Sequence, residues 1–483
     1  CALTPSQEMI ARGEFLTPVI AAGPGIRPNS LLKSATTRRA GLASNFDIAP
    51  TVLGFLGVDI PVQMEGALLE SAGGLEGFEG FRDRIVYWAG IRGMLINAFV
   101  VTAVILLSVL LVLGWLDHPV MGRHTRLWYL LLFFLLWVPF SYLLITLIPL
   151  YMPSVTLAIA VFVALALSCA TVVSLKLLAP RGPSAVEGGS GGEDIAIPRA
   201  LVIVCAVTLL GVLLDPLLGY PMISYSPFGA ALTGGGRYYG IGNVYMGTVL
   251  GAAVLGGCLA GDAWPGFSAG RRRIVAAALP LGAAVVWVGS SRLGANVGGV
   301  FTGLIAAFAT ILAMPSRTRG WRRLVAPALV VLILMLVLLG VELLIPGPAS
   351  HAGRTVTRVS ERGFYDFYAI VARKLQLNWR LFWASMWRFL FFVALVVALA
   401  WLRKPPVFEV VGGKYQGARA AWAGMIVAGV AGALLNDTGI ETAGAVALFL
   451  TVPTLLLYLG MRPQGREEAC GWDSDAAGAA GKG

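Results

Sequence analysis

Long apolar runs, each ended by a short polar or glycine-rich break, follow one another through residues 94–460. Most reach or approach the roughly 20 apolar residues that carry a helix across a ~30 Å hydrocarbon layer. Eleven spans are predicted, at 94–114, 127–147, 155–178, 199–216, 243–261, 274–290, 296–314, 324–345, 387–402, 420–435 and 440–460. The first 70 residues break this pattern. TPVIAAGPGI (17–26) is short, apolar and closed by Gly-Pro-Gly, which predicts a strand entering a turn. NFDIAPTVLGFLGV (45–58) predicts a short helix capped by Asp47, with Pro50 in its first turn and Gly57 at its close. One strand and one helix bury too little to fold alone, so this piece is expected to complete a sheet whose other strands lie upstream. Residues 71–92 read as a Gly-rich linker carrying Arg82, Arg84 and Arg92. Residues 181–197 read as a flexible loop, and 463–483 as a disordered cytoplasmic tail.

Composition agrees with the pattern. The chain of 483 residues is 57% hydrophobic and 13% charged, where a soluble domain carries about 25% charged residues. Its mean hydropathy is +0.80. The net charge of +11 does not signal nucleic acid, because the basic residues sit mostly in short loops between apolar runs, where they set topology. Assigning alternate loops to two sides gathers Lys and Arg on one of them. The short loops of the other side hold only Arg237 and Arg292. The basic side is expected to be cytoplasmic, which places residues 1–90 outside and the C-terminus inside a plasma membrane. The five cysteines show neither metal spacing nor a disulfide framework.

Four polar stretches then share the outer side. In GGGRYYGIGN (234–243), consecutive glycines let backbone N–H groups converge on an anion, with Arg237 as a charged fork and Tyr238 and Asn243 beside it. The alternative is a mobile loop with interfacial tyrosines. In SSRLGANVGG (290–299), Asn296 caps a span, Gly299 and Gly303 form a packing face, and Arg292 stays at the outer surface. In LLNDTGIETAG, Thr438 and Glu441 fit a capping box, which leaves Asn436 and Asp437 unexplained. Charge near hydrocarbon needs a partner, so Arg237 and Arg292 are expected to pair with Asp437, Asp215 or Glu342. In 346–388, Arg354, Arg358 and Arg362 form a row beside an apolar stripe of Phe364, Tyr368, Val371 and Leu375. That reads either as an interfacial helix touching lipid phosphates or as a clamp for a phosphate headgroup. Arg237, Asn243, Arg292, Asn296, Asn436 and Asp437 are expected to converge on one outer pocket.

TPVIAAGPGI, TTRRAGLASNFDIAPTVLGFLGV (36–58), Pro61 and MEGALL (64–69) together resemble the C-terminal end of the alkaline phosphatase superfamily, which includes phosphatases, sulfatases and cofactor-independent phosphoglycerate mutases. The resemblance implies an α/β domain with a metal-dependent nucleophile, its catalytic residues and divalent metal lying upstream. SQEMIARGEFLTP (6–18) lacks the late metal-binding histidine of that family; His118, His124 and His351 all fall in the membrane part. No cofactor is therefore assigned to this stretch itself.

The expected fold class is mainly α: a polytopic membrane helix bundle of about eleven spans, preceded by an alkaline-phosphatase-like α/β fragment. The expected function is a membrane-anchored extracytoplasmic phosphoester or sulfoester hydrolase or transferase. Its expected partners are membrane lipid and an anionic envelope or lipid-linked substrate, and not nucleic acid. The alternatives are a transporter or flippase, or a glycan polymerase or ligase, with an inactive accessory domain.

Overall fold

The computed structural model describes residues 5–11, 15–61, 64, 66–116, 118–148, 150–179, 193–230, 232–233, 238–268, 270–315, 320–344, 364–402 and 407–461. The predicted tail and most of the 181–197 loop fall outside them, as do Arg237, Arg354, Arg358 and Arg362.

The first 72 residues carry little regular structure. A two-stranded antiparallel ribbon joins β1 (Leu31–Lys33) to β2 (Glu70–Ala72), with Leu31 opposite Ala72. Helix α1 (Ile48–Phe55) follows a 3-10 turn at Asn45–Asp47. The expected strand at 17–26 is not a strand. Among the described residues no segment pairs with it, and its Ile20 is 84% exposed. A strand exists by sharing its N–H and C=O groups with a neighbour, and among the described residues none does so here. Asp47 holds the segment together. Its buried carboxylate accepts from the Ser34 hydroxyl (2.7 Å) and from the backbone N–H of Ser44 (2.9 Å) and Ala67 (3.0 Å).

The rest is helical: α2 (Phe78–Trp115), α3 (Thr125–Leu144), α4 (Pro153–Leu178), α5 (Glu193–Leu214), α6 (Asn243–Ala263), α7 (Gly270–Gly289), α8 (Val297–Ala313), α9 (Val325–Leu344), α10 (Phe364–Ala384), α11 (Trp387–Trp401), α12 (Val407–Lys414), α13 (Gln416–Leu435) and α14 (Gly439–Met461). Nine helices among the described residues are long and apolar enough to cross a membrane. This is a multi-pass architecture. Two of the eleven predicted spans differ from those nine. Helix α8 is apolar but short, and α11 follows α10 across an 86° bend. The predicted linker is also corrected, because β2 occupies its start and α2 runs unbroken from Phe78 through Arg82, Arg84 and Arg92 into the first span.

Helices α6 and α14 are the central pillars. Their apolar windows are 94% and 89% buried, whereas α9 is 11% buried and faces outward. Lipid tails are as apolar as leucine, so close packing rather than water exclusion holds such helices together. Glycines make the approach close: Gly247 and Gly251 of α6 lie against Thr442 and Phe449 of α14. The predicted Gly299/Gly303 face of α8 packs on α6 and α7 through Met246, Val288, Leu250 and Val285.

Loop contacts sort into two sets. At one end, Arg84 donates to the Thr146 and Pro221 carbonyls, Tyr220 to Arg292 and Leu293, and Asn378 to Asn436. At the other end, Arg199 donates to Leu178 and Ala263, and Arg273 bridges Asp262 and Gln416. This grouping matches alternating loops.

Candidate functional site

Three helices begin at the same place. Helix α6 starts at Asn243, α8 is capped by Asn296, and α14 starts at Gly439. Asn296 has extended backbone, and its side-chain oxygen accepts from Gly299 N at 2.9 Å, the expected cap. That bond fixes its amide, whose Nδ2 then donates to Asn243 Oδ1 at 3.0 Å. Asn243 Nδ2 donates to the Thr438 hydroxyl at 2.5 Å, and Thr438 in turn donates to Glu441 Oε2 at 2.9 Å. The Thr442 hydroxyl closes the group on the Asn243 carbonyl at 3.3 Å. Each helix N-terminus carries about half a positive charge on unsatisfied N–H groups. Their convergence makes an anion-favouring end of the bundle.

The turn after α13 is held from two sides. Asn436 is 2% exposed, and its Nδ2 donates to Thr302 (3.2 Å) and to the Gly432 carbonyl (3.0 Å). Asn378 of α10 donates to the Asn436 carbonyl at 2.7 Å and accepts from Gly439 N at 2.9 Å. The expected Thr438–Glu441 capping box is thus replaced. The Thr438 hydroxyl is drawn to Asn243 and Glu441, so the first amide of α14 is capped by another helix.

Arg92 reaches the group from α2. Its Nη1 donates to the Ser226 carbonyl at 3.5 Å, and it lies within electrostatic reach of Glu441. Tyr245 donates to the Pro139 carbonyl at 3.0 Å and so accepts from the Ser226 hydroxyl at 2.6 Å. Asn378, Ser226 and Tyr245 escaped the sequence reading, which placed Arg92 only in a linker. The only signals were an arginine inside what becomes a span helix and a lone asparagine in the amphipathic run.

Arg292 and Asp437 are exposed at the rim. Two of the three expected acidic partners, Asp215 and Glu342, hold backbone N–H groups. Asp215 accepts from Met222 N (2.8 Å) and Ile223 N (2.9 Å), and Glu342 accepts from Ser291 N (2.7 Å). An acid that caps a tight turn satisfies amides that hydrocarbon would leave bare. The six residues expected in one pocket therefore divide. Asn243 and Asn296 join directly, Asn436 bonds to Thr302 of α8, Arg292 and Asp437 are peripheral, and Arg237 lies outside the described residues.

The N-terminal segment sits on the loops that frame this group. Arg38 Nη1 donates to the Ser291 carbonyl at 2.6 Å, and its guanidinium lies 3.6 Å from the Tyr239 ring centre. Arg39 donates to the Tyr238 carbonyl (3.2 Å) and to the Ser224 hydroxyl, and the Tyr238 hydroxyl donates to Ser44 at 3.3 Å. Burial pulls the Arg39 guanidinium below its usual pKa, and Tyr225, Tyr220 and Asp215 oppose that shift. Behind this interface the two loops lock together. Ile241 N donates to the Gly294 carbonyl at 2.9 Å, and Gly240 has φ +78°, where a Cβ would also strike that carbonyl. No protein family, no curated protein and no solved structure matches this chain.

Proposed function

We propose that the bundle binds the anionic headgroup of a lipid-linked or envelope substrate at the Asn243–Asn296–Thr438–Glu441 group. It would present that headgroup to the docked N-terminal segment, as the membrane part of an extracytoplasmic phosphoester or sulfoester hydrolase or transferase. One observation carries this reading: three helix N-termini and Arg92 converge under the loops that Arg38, Arg39 and Tyr238 clasp. Positive helix ends and a guanidinium favour a phosphate or sulfate over a neutral sugar. The resemblance to the alkaline phosphatase superfamily supports ester chemistry in the same compartment, and basic-loop asymmetry supports an extracytoplasmic placement.

The test is binding by the protein in lipid nanodiscs, titrated with a polyprenyl pyrophosphate and, separately, with the uncharged polyprenol. The reading expects saturable binding of the first and none of the second. Equal binding of both, or of neither, contradicts it. A second reading, transport, is favoured by the opposed charges of Arg92 and Glu441 inside span helices. It requires substrate movement across the membrane of proteoliposomes, which the first reading does not.

A further inference from the structure

At the opposite end of the bundle, a cleft of about 320 Å³ opens between the C-terminus of α8, the turn Gly320–Leu324, α12 and the start of α13. Among the described residues its lining includes Arg323, Arg419, Gln416, Gly412 and Gly413, and no carboxylate. Neither arginine belongs to an ion pair among the described residues. Arg323 donates through Nε (3.2 Å) and Nη2 (3.0 Å) to the Leu312 carbonyl, which anchors its stem and leaves Nη1 for the cleft. Gln416 gives its side-chain oxygen to Arg273 at 2.6 Å, so its amide protons remain for a ligand. Gly412 shapes the floor. A Cβ there would lie 2.8 Å from Arg419 Nε and 2.9 Å from its Cγ, so only glycine lets that side chain lie across the backbone. Arg419 is in the first turn of α13 and Asn436 just past its end, about 25 Å of helix rise apart. The cleft therefore opens near headgroup level on the face away from the asparagine group.

We propose that this cleft binds the phosphate of an anionic phospholipid in that leaflet. Two guanidiniums from separate elements, amide protons and an open glycine floor supply donors and charge without a competing acid. Basic clefts between span helices suit such headgroups, and the guanidinium fork matches two phosphate oxygens.

The test compares lipid retention by native mass spectrometry after transfer from nanodiscs of phosphatidylglycerol and phosphatidylcholine. Wild-type protein should keep phosphatidylglycerol in preference. The double variant R323Q/R419Q should lower that retention by about tenfold, the size expected for lost charge-assisted contacts. Gly412→Leu, which displaces Arg419 while keeping the charge, should lower it as well. Arg126→Gln, which removes one positive charge elsewhere at this end, should not. Equal retention in R323Q/R419Q and wild type overturns the proposal, as does loss in Arg126→Gln. In a further arm the detergent-solubilised protein meets inorganic phosphate. Competition with phosphatidylglycerol supports a phosphate-reading site. Phosphate binding without lipid preference overturns the lipid assignment.

Discussion

Asn243 is the residue on which the outer group turns, because its side-chain amide and its backbone carbonyl join α6 to α8 and to the start of α14. Asn243→Ala should destabilise the protein by about 1–3 kcal/mol, the cost of leaving buried polar partners unsatisfied. A fall in detergent melting temperature checks this, and an unchanged value contradicts it. Asn243→Asp keeps the acceptor for Asn296 but loses the donor to Thr438 and sets a carboxylate near Glu441. It should therefore destabilise more than a surface Asn→Asp change. Asn243, Asn296 and Asn436 were legible in the sequence because polar side chains at span ends have no apolar reason to be there. Arg92 and Asn378 were not, since Arg92 read as part of a Gly-rich linker and Asn378 as part of the long segment 346–388. Only the fold brings each to its partners.

Elements were legible wherever period and length agreed. The long helices follow the apolar runs, but the strand at 17–26 does not form, because strand identity depends on a partner rather than on local composition. From Leu375 to Ala384, α10 meets α11 at 86°, the geometry of a broken span or a re-entrant loop, and its Trp379 and Trp383 are exposed. The arginine row before it lies outside the described residues. The clasp between loops makes its own pH prediction. Burial raises the Tyr220 phenol to about 12, and its hydroxyl donates to the Arg292 (2.7 Å) and Leu293 (2.6 Å) carbonyls. The native state thus holds this proton after the unfolded chain, at about 10, has lost it. The stability from Tyr220 is complete below pH ~10 and lost as pH rises toward about 12. Between those values wild-type protein should lose more stability than Tyr220→Phe. Parallel loss in both contradicts the argument.

At the scale of the whole molecule, loop contacts divide the chain into two faces, and the charge rule proposes which is inside. Single cysteines at Glu76 and Arg322, in a background lacking the five native ones, test that choice with a membrane-impermeant thiol reagent on intact cells. Labelling at Glu76 alone is expected, and labelling at Arg322 alone reverses the orientation. The two-faced architecture also separates the two proposed anion sites, so each is a control for the other. The most direct test of the central claim is polyprenyl pyrophosphate binding by Arg92→Gln and R323Q/R419Q proteins in nanodiscs, measured side by side with wild type. Arg92→Gln should weaken binding roughly tenfold to a hundredfold, as for loss of a hydrogen bond from a charged group, while R323Q/R419Q binds as wild type does. Unchanged binding in Arg92→Gln would contradict the account, and loss of binding only in R323Q/R419Q would place the headgroup at the wrong end of the bundle.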